Sequence, residues 1–190
     1  MDGRLIDKIY ESCFAPETWP GVLDEVGRIA DTTGATLIVS KDDVLRWVAS
    51  PEPRERAEKF VKEGWLRRGQ IIAKLFALRI PGFLIDVEFF TPEELDREPI
   101  YRHVWRPQGV GWGMATAIPI PTGENVTFIL SRRTERGSPV GGVLSLEKKA
   151  DVTLALRETR RLLMRLDQSS LHEGGSISWY ATRCELPPTK

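Results

Sequence analysis

The sequence is poor in the residues that build metal sites and disulfide frameworks. Among its 190 residues are two cysteines and two histidines. Cys13 and Cys184 lie at opposite ends of the chain, a spacing that matches neither a metal-binding motif nor a disulfide framework. Such cysteine usage is typical of a protein from a reducing compartment. We therefore expect no metal site, no cofactor and a cytoplasmic location.

The chain also lacks an excess of charge of one sign and lacks long apolar runs. Its 27 lysine and arginine residues match 27 aspartate and glutamate residues, so the molecule as a whole does not attract a polyanion. The apolar run 71–78 contains Lys74 and is too short to span a bilayer. The first residues lack the pattern of a signal peptide. We expect no direct nucleic-acid binding by this chain and no membrane association.

No catalytic motif is recognisable in the sequence. An enzyme would need a nucleophile beside a base, and no spacing places Cys13 or a serine with His103. The glycines of 109–113 precede a strand pattern, whereas a phosphate-binding loop opens a helix. The basic run 157–165 contains Glu158 and is followed by Asp167, which favours a solvated helix face. We expect no catalytic residues, and a small hydrolase-like enzyme is the alternative from another functional class.

Apolar periodicity predicts a mixed α/β chain. Two amphipathic helices come first, and two β-rich runs then form a hairpin around a polar turn. Helical patterns, a short edge strand and a helix capped by Thr91 follow. These predicted elements occupy residues 5–14, 19–30, 35–40, 44–49, 53–65, 71–78 and 83–87, with a helix that starts at 91–94 and a further short helix over 100–105.

The strongest strand patterns lie at 112–120 and 126–131, and 143–166 is predicted as one long helix. The two strands are joined by a proline- and glycine-containing turn and form a second hairpin. The order of elements predicts an α/β/α sandwich with a central antiparallel sheet flanked by helices, of the GAF/PAS-like kind. We expect residues 1–168 to form one sensor domain and 169–190 to form a flexible tail.

The aromatic residues are the best candidates for a binding site. A tryptophan has a large apolar face with one N–H donor, which suits a ligand wall and a core equally. Four of the six tryptophans lie where the first hairpin and the crossover helices would enclose a cavity on one face of the sheet. The predicted ligand-binding residues are Trp47, Phe60, Trp65, Trp105, Trp112, Met114, Thr116 and Phe128.

Alternation along 112–118 places Trp112, Met114 and Thr116 on one face of the strand and three small residues on the other. The small residues, at 113, 115 and 117, leave room either for a closely packed helix or for a ligand. Three hydroxyl groups on the second hairpin are candidate polar anchors beside an apolar wall. They belong to Thr116, Thr127 and Ser131.

The stretch WRPQGVGWGMATAIPIPTGENVTFILSRRTERG, residues 105–137, resembles the sensor region of LuxR-type helix-turn-helix transcriptional regulators. The most specific elements are the turn RPQG at 106–109 and the sequence GWG at 111–113. The looser resemblance covers 5–166. It implies a ligand- or partner-sensing regulatory domain that binds a small apolar or aromatic molecule and controls transcription through dimer geometry.

Two departures from the family pattern bear on function. Acyl-homoserine-lactone receptors of the wider family carry an aspartate-proline pair where this chain has Gly69 and Gln70, so we do not expect a lactone ligand. No pattern of a DNA-reading domain follows 166. A short regulator that pairs with a full-length relative and inhibits it is therefore an alternative. The second apolar stripe of the long helix predicts a homodimer through Val152, Leu156, Leu163 and Leu166.

Overall fold

A six-stranded antiparallel sheet forms the centre of the computed structural model, which describes residues 3–12, 14–42, 44–68, 70–78, 83–119, 123–137 and 184–185. The strands are β1 (Ala35–Lys41), β2 (Val44–Ala49), β3 (Leu84–Ile85), β4 (Val110–Pro119), β5 (Asn125–Arg133) and β6 (Cys184–Glu185). The helices are α1 (Gly3–Glu11), α2 (Trp19–Ile29), α3 (Arg54–Lys62), α4 (Gln70–Leu78), α5 (Pro92–Arg97) and a π-helix (Tyr101–Trp105).

The strand order is β3-β4-β5-β1-β2-β6, and every neighbouring pair is antiparallel. Both predicted hairpins are present, β1 with β2 and β4 with β5. They join through β5 and β1, so the two hairpins form one continuous surface. The predicted edge strand is the two-residue β3, and β6 pairs with Val44 and Leu45 at the opposite edge.

Helices cover both faces of this sheet, because both sets of alternating side chains along the central strands are apolar. Leu37 and Phe128 point towards α1 and α2, whereas Ile38 and Ile129 point towards α3, α4 and the π-helix. The predicted α/β/α sandwich with a central antiparallel sheet is confirmed. We call the two sides the α2 face and the α3 face of the sheet.

The α2 face is closed by two helices whose apolar stripes were visible in the sequence. Trp19 and Leu23 of α2 and Leu5 and Ile9 of α1 are each at most 1% exposed. They pack with the inward side chains of β1, β4 and β5 in one apolar cluster. The predicted core role of Trp19 is thus confirmed.

The α3 face is covered by shorter elements. Helix α5 begins with a capping box, in which Glu94 N–H donates to Thr91 Oγ1 (3.2 Å) and Thr91 N–H donates to Glu94 Oε2 (2.8 Å). The helix predicted over 100–105 is a π-helix, closed by a hydrogen bond from Arg106 N–H to the Tyr101 carbonyl. Pro107 has no N–H and ends the helix there. Apolar periodicity alone does not distinguish such a widened turn from an α-turn.

Several predicted features lie outside the described residues. These are Cys13, the long helix 143–166 with its dimer residues Val152, Leu156, Leu163 and Leu166, and the tail from 169 apart from β6. In the part of the chain that is described, no helix has the length and apolar character needed to cross a membrane.

Two glycines of α2 provide a matched test of its packing. A methyl group at Gly27 would lie 2.5 Å from Gly34 Cα, whereas one at Gly21 would contact nothing within 4 Å. We expect Gly27→Ala to lower the free energy of unfolding by about 1–3 kcal/mol, because the backbone of 34 must move. Gly21→Ala should raise it by up to about 1 kcal/mol through helix propensity. Urea denaturation of both variants measures the free energy of unfolding. Equal changes in the two variants would contradict the close contact of Gly27 with Gly34.

Candidate functional site

A small cavity lies between the α3 face of the sheet and the helices that cover it. Its free volume is about 20 Å³, which is enough for one water molecule. Most of its wall is apolar, and its polar groups come from α3, β1 and β5. The lining residues are Thr36, Ile38, Pro53, Arg56, Ala57, Phe60, Trp105, Ile129 and Ser131.

Helix α3 supplies one wall of the cavity. It follows Pro53, and Ala57 and Phe60 turn towards the sheet at helical spacing. Arg56 belongs to the same buried side and is only 6% exposed. A cation this deeply buried has a high desolvation cost unless hydrogen bonds and counter-charges offset it. The hydrogen-bond partners of Arg56 therefore determine how its burial is compensated.

Arg56 Nη2 donates to Ser131 Oγ at 2.8 Å and to Glu52 Oε2 at 2.9 Å. Glu52 is also bound by a second guanidinium, since Arg133 Nη2 donates to its other oxygen, Oε1, at 2.7 Å. The cluster of Arg56, Arg133 and Glu52 contains two guanidinium groups and one carboxylate. Its net charge is therefore one positive charge, at the polar end of the cavity.

The π-helix supplies the opposite wall through Trp105. The ring of Trp105 lies directly on β4 at Gly113, where a Cβ would be 2.7 and 2.8 Å from two ring carbons. Tyr101 packs edge-on against the same ring, with centroids 4.6 Å apart. Of the two options open for the small face of β4, the closely packed helix is the one realised at 113.

Behind Trp105, a buried carboxylate binds the backbone of the same glycine. Gly113 N–H donates to Asp86 Oδ2 (2.6 Å) and to Tyr101 Oη (3.0 Å), and Val87 N–H donates to Asp86 Oδ1 (2.8 Å). Burial raises the pKa of Asp86 from about 3.8 to about 7, and it outweighs these hydrogen bonds and the charge of Arg106, which act to lower it. Asp86 therefore changes charge near neutral pH.

The eight predicted ligand-binding residues divide between the two faces of the sheet. Phe60 and Trp105 line the cavity, and Trp47 and Trp65 belong to the same apolar cluster on the α3 face. The other four lie on the α2 face, as the register of β4 with β5 shows. These are Trp112, Met114, Thr116 and Phe128.

The expectation that Trp112 shares one face with the other tryptophans is therefore wrong. Trp112 is two residues from Met114 along β4, and alternation places both on the α2 face. The small residues of β4 at 113, 115 and 117 lie on the α3 face, as does Val110. The strand pattern contained this alternation, but the sequence does not indicate which helices cover which face.

Some buried polar atoms of the central strands have no hydrogen-bond partner among the described residues. Trp47 Nε1 and Thr127 Oγ1 belong to the α3 face, where both residues pair with Ile38 across the sheet, and Thr116 Oγ1 belongs to the α2 face. Ser131 is the predicted anchor that reaches the cavity, where it accepts from Arg56 and lies 3.3 Å from Thr33 Oγ1.

The buried charged residues Arg56 and Asp86 were not among the predicted site residues. Arg56 precedes Phe60 by one helical turn, so its place on the apolar stripe was a usable signal. Asp86 lies between Ile85 and Val87 in an otherwise apolar segment. His103, the candidate base, is exposed and stacks on Trp65 with centroids 5.9 Å apart, and it does not line the cavity.

Solved structures with the same fold include a ligand-binding domain and a LuxR-family transcription factor. The VqsR ligand-binding domain of Pseudomonas aeruginosa superimposes with a TM-score of 0.61 at 12% identity, over 84% of this chain and 96% of its own. The N-acylhomoserine-lactone-dependent LuxR-family factor CepR2 of Burkholderia cenocepacia gives 0.58 at 13% identity, over 91% and 99%. This fold is the LuxR-type ligand-binding fold.

Escherichia coli SdiA, another protein with this fold, gives a TM-score of 0.56 at 16% identity over 83% of this chain. The match spans 62% of the SdiA chain, so this chain corresponds to less than two thirds of that protein. No protein-family model and no curated protein sequence matches the chain. The resemblance predicted from 105–137 is thus confirmed at the level of fold.

The raised pKa of Asp86 predicts how stability varies with pH. Between about pH 4 and pH 7 the folded chain holds a proton on Asp86 that the unfolded chain releases, so stability falls as pH rises. A shift of about three pKa units corresponds to a loss on the order of 4 kcal/mol across that range. Asp86→Asn keeps an acceptor for Gly113 N–H and cannot ionise, so it should remove this decline.

The measurement is urea denaturation at pH 5 and pH 8. The control is Asp24→Asn on the exposed side of α2, which should retain the decline of the unmodified chain. An Asp86→Asn variant that lost as much stability as the control would show that Asp86 is not the titrating group.

Proposed function

We propose that the chain is a ligand-sensing regulatory domain that binds a small apolar or aromatic molecule in the cavity on the α3 face. The observation that carries this proposal is the cavity itself, in which apolar walls from Phe60 and Trp105 end at the buried pair of Arg56 and Ser131. Apolar walls with a few convergent polar groups are typical of small-molecule sites.

The proteins that share the fold support the same function. CepR2 is described as N-acylhomoserine-lactone dependent, and SdiA has been solved in complex with octanoyl-rac-glycerol. Neither description concerns an enzyme. We extend the regulatory role, though not those ligands, to this chain, and we propose that it performs no chemistry and acts in the cytoplasm.

Binding must move the walls of the cavity. A free volume of about 20 Å³ holds no organic molecule, so a ligand enters only if Phe60 or Trp105 shifts. Trp105 is followed by Arg106, which donates to the Gly111 carbonyl (2.9 Å) and to Asp96 of α5 (3.1 Å). A shift of the π-helix therefore changes contacts with both α5 and β4. Ligand binding would select the conformation in which these contacts are rearranged.

The output is proposed to be a change in dimer geometry. A homodimer through Val152, Leu156, Leu163 and Leu166 would use residues that follow β5 along the chain, and ligand binding would change the relative position of its two chains. In a full regulator this would alter the spacing of two DNA-reading helices.

A pair of alanines on neighbouring helices tests the cavity. Ala57 lines it, whereas Ala73 is exposed on α4. Ala57→Leu should fill the cavity and abolish thermal stabilisation by any compound that stabilises the unmodified chain in a screen of small apolar and aromatic molecules. Ala73→Leu should respond as the unmodified chain does.

Circular dichroism shows whether each variant is folded before the screen. Stabilisation of Ala57→Leu by the same compounds to the same extent would place the binding site elsewhere and contradict the proposal.

A further inference from the structure

We propose that the molecule bound in the cavity is an apolar acid, whose carboxylate is held by Arg56 and Ser131 while its hydrocarbon or aromatic body lies between Phe60 and Trp105. This inference rests on the proposed sensing function and adds the chemical class of the ligand. It is argued from the charge, the hydrogen-bonding capacity and the lining of the cavity.

The Arg56 guanidinium has N–H groups that make no hydrogen bond within the described part of the chain. The side chain is 7% exposed and lines the cavity. Both of its hydrogen bonds leave from Nη2, to Glu52 and Ser131, and within the described part of the chain Nε and Nη1 have no acceptor. A guanidinium has five N–H donors, and each pair of them that can bind both oxygens of a carboxylate includes Nη2. Because both hydrogens of Nη2 are already used, Nη1 is left to donate to one oxygen of a ligand carboxylate.

The end of the cavity at Arg56 has a net positive charge. Glu52 divides its two oxygens between Arg56 and Arg133, at 2.9 and 2.7 Å, so the cluster retains one positive charge. Glu52 is 31% exposed and does not line the cavity. A ligand carboxylate would therefore complete the neutralisation of Arg56, whose side chain is largely buried, and charge-assisted hydrogen bonds are stronger at buried groups than in water.

The described lining residues of the cavity include no carboxylate. The polar side chains among the described lining residues are Thr36, Arg56 and Ser131. The hydroxyl of Ser131 already accepts from Arg56. A positively charged head group would meet the Arg56 guanidinium with no carboxylate among the lining side chains. The cavity thus disfavours a cationic head group.

The test uses two acids, octanoate and 3-phenylpropanoate, and their methyl esters, titrated calorimetrically into the full chain at pH 7.5. The ester has the same apolar body without the charge. We expect each acid to bind about tenfold or more tightly than its ester, the size of one charge-assisted hydrogen bond. Arg56→Met should lose this advantage by weakening the acid and not the ester.

Two further variants separate recognition from structural support. Arg56→Lys keeps the positive charge but loses the planar guanidinium. It should therefore show part of the preference for acid that Arg56→Met loses. Arg54→Met removes the same charge from an exposed position of the same helix and should change acid binding by no more than about twofold. A merely structural Arg56 would weaken acid and ester alike, and that result would overturn the proposal.

The outcomes also separate this inference from the sensing function. If the esters bind as tightly as the acids and Ala57→Leu abolishes the binding of both, the sensing function stands and the proposal of a carboxylate ligand is wrong. Acid binding that is unchanged in Arg56→Met would also contradict the proposal of a carboxylate ligand. If neither the acids nor the esters bind, the proposal that the ligand is an apolar acid of this kind is wrong. The sensing function is then tested separately, by whether other compounds stabilise Ala73→Leu and fail to stabilise Ala57→Leu.

Discussion

The contact of the Trp105 ring with Gly113 is the constraint on which the site depends. Because no side chain stands at 113, the ring lies on the sheet, and the π-helix comes close enough for Asp86 and Tyr101 to bind the Gly113 N–H. The same ring then forms one wall of the cavity. Support of the wall and shape of the cavity are therefore set by one position on β4, and a shift of the ring changes both together.

The buried charged residues Asp86 and Arg56 have different roles on the α3 face. Asp86 supports the π-helix from behind, and its raised pKa reflects the cost of burying a carboxylate with backbone donors as its hydrogen-bond partners. Arg56 faces the cavity and shares Glu52 with Arg133. Buried groups of this kind contribute little net stability, since desolvation offsets their attraction. Their retention in an apolar layer is better explained by recognition and positioning.

Much of the fold was predictable, because local patterns determine it. Both hairpins, the two opening helices and the cap at Thr91 follow from alternation, helical spacing and turn residues. The site was less predictable, since it depends on which helices cover which face. Alternation correctly separated Met114 from Gly113, but only the packing of Trp105 shows that the small side of β4 is covered by the π-helix. Arg56 follows the polar start of α3, and its burial depends on Ser131, 75 positions along the chain.

Native mass spectrometry of the full chain, after incubation with a mixture of small apolar acids and neutral analogues, tests the central claim most directly. The account predicts one added mass per chain that disappears on denaturation and is identified as an acid in negative-ion mode. A spectrum that contains only the unliganded chain at every concentration of the mixture, or one whose added mass is always a neutral analogue, would contradict it.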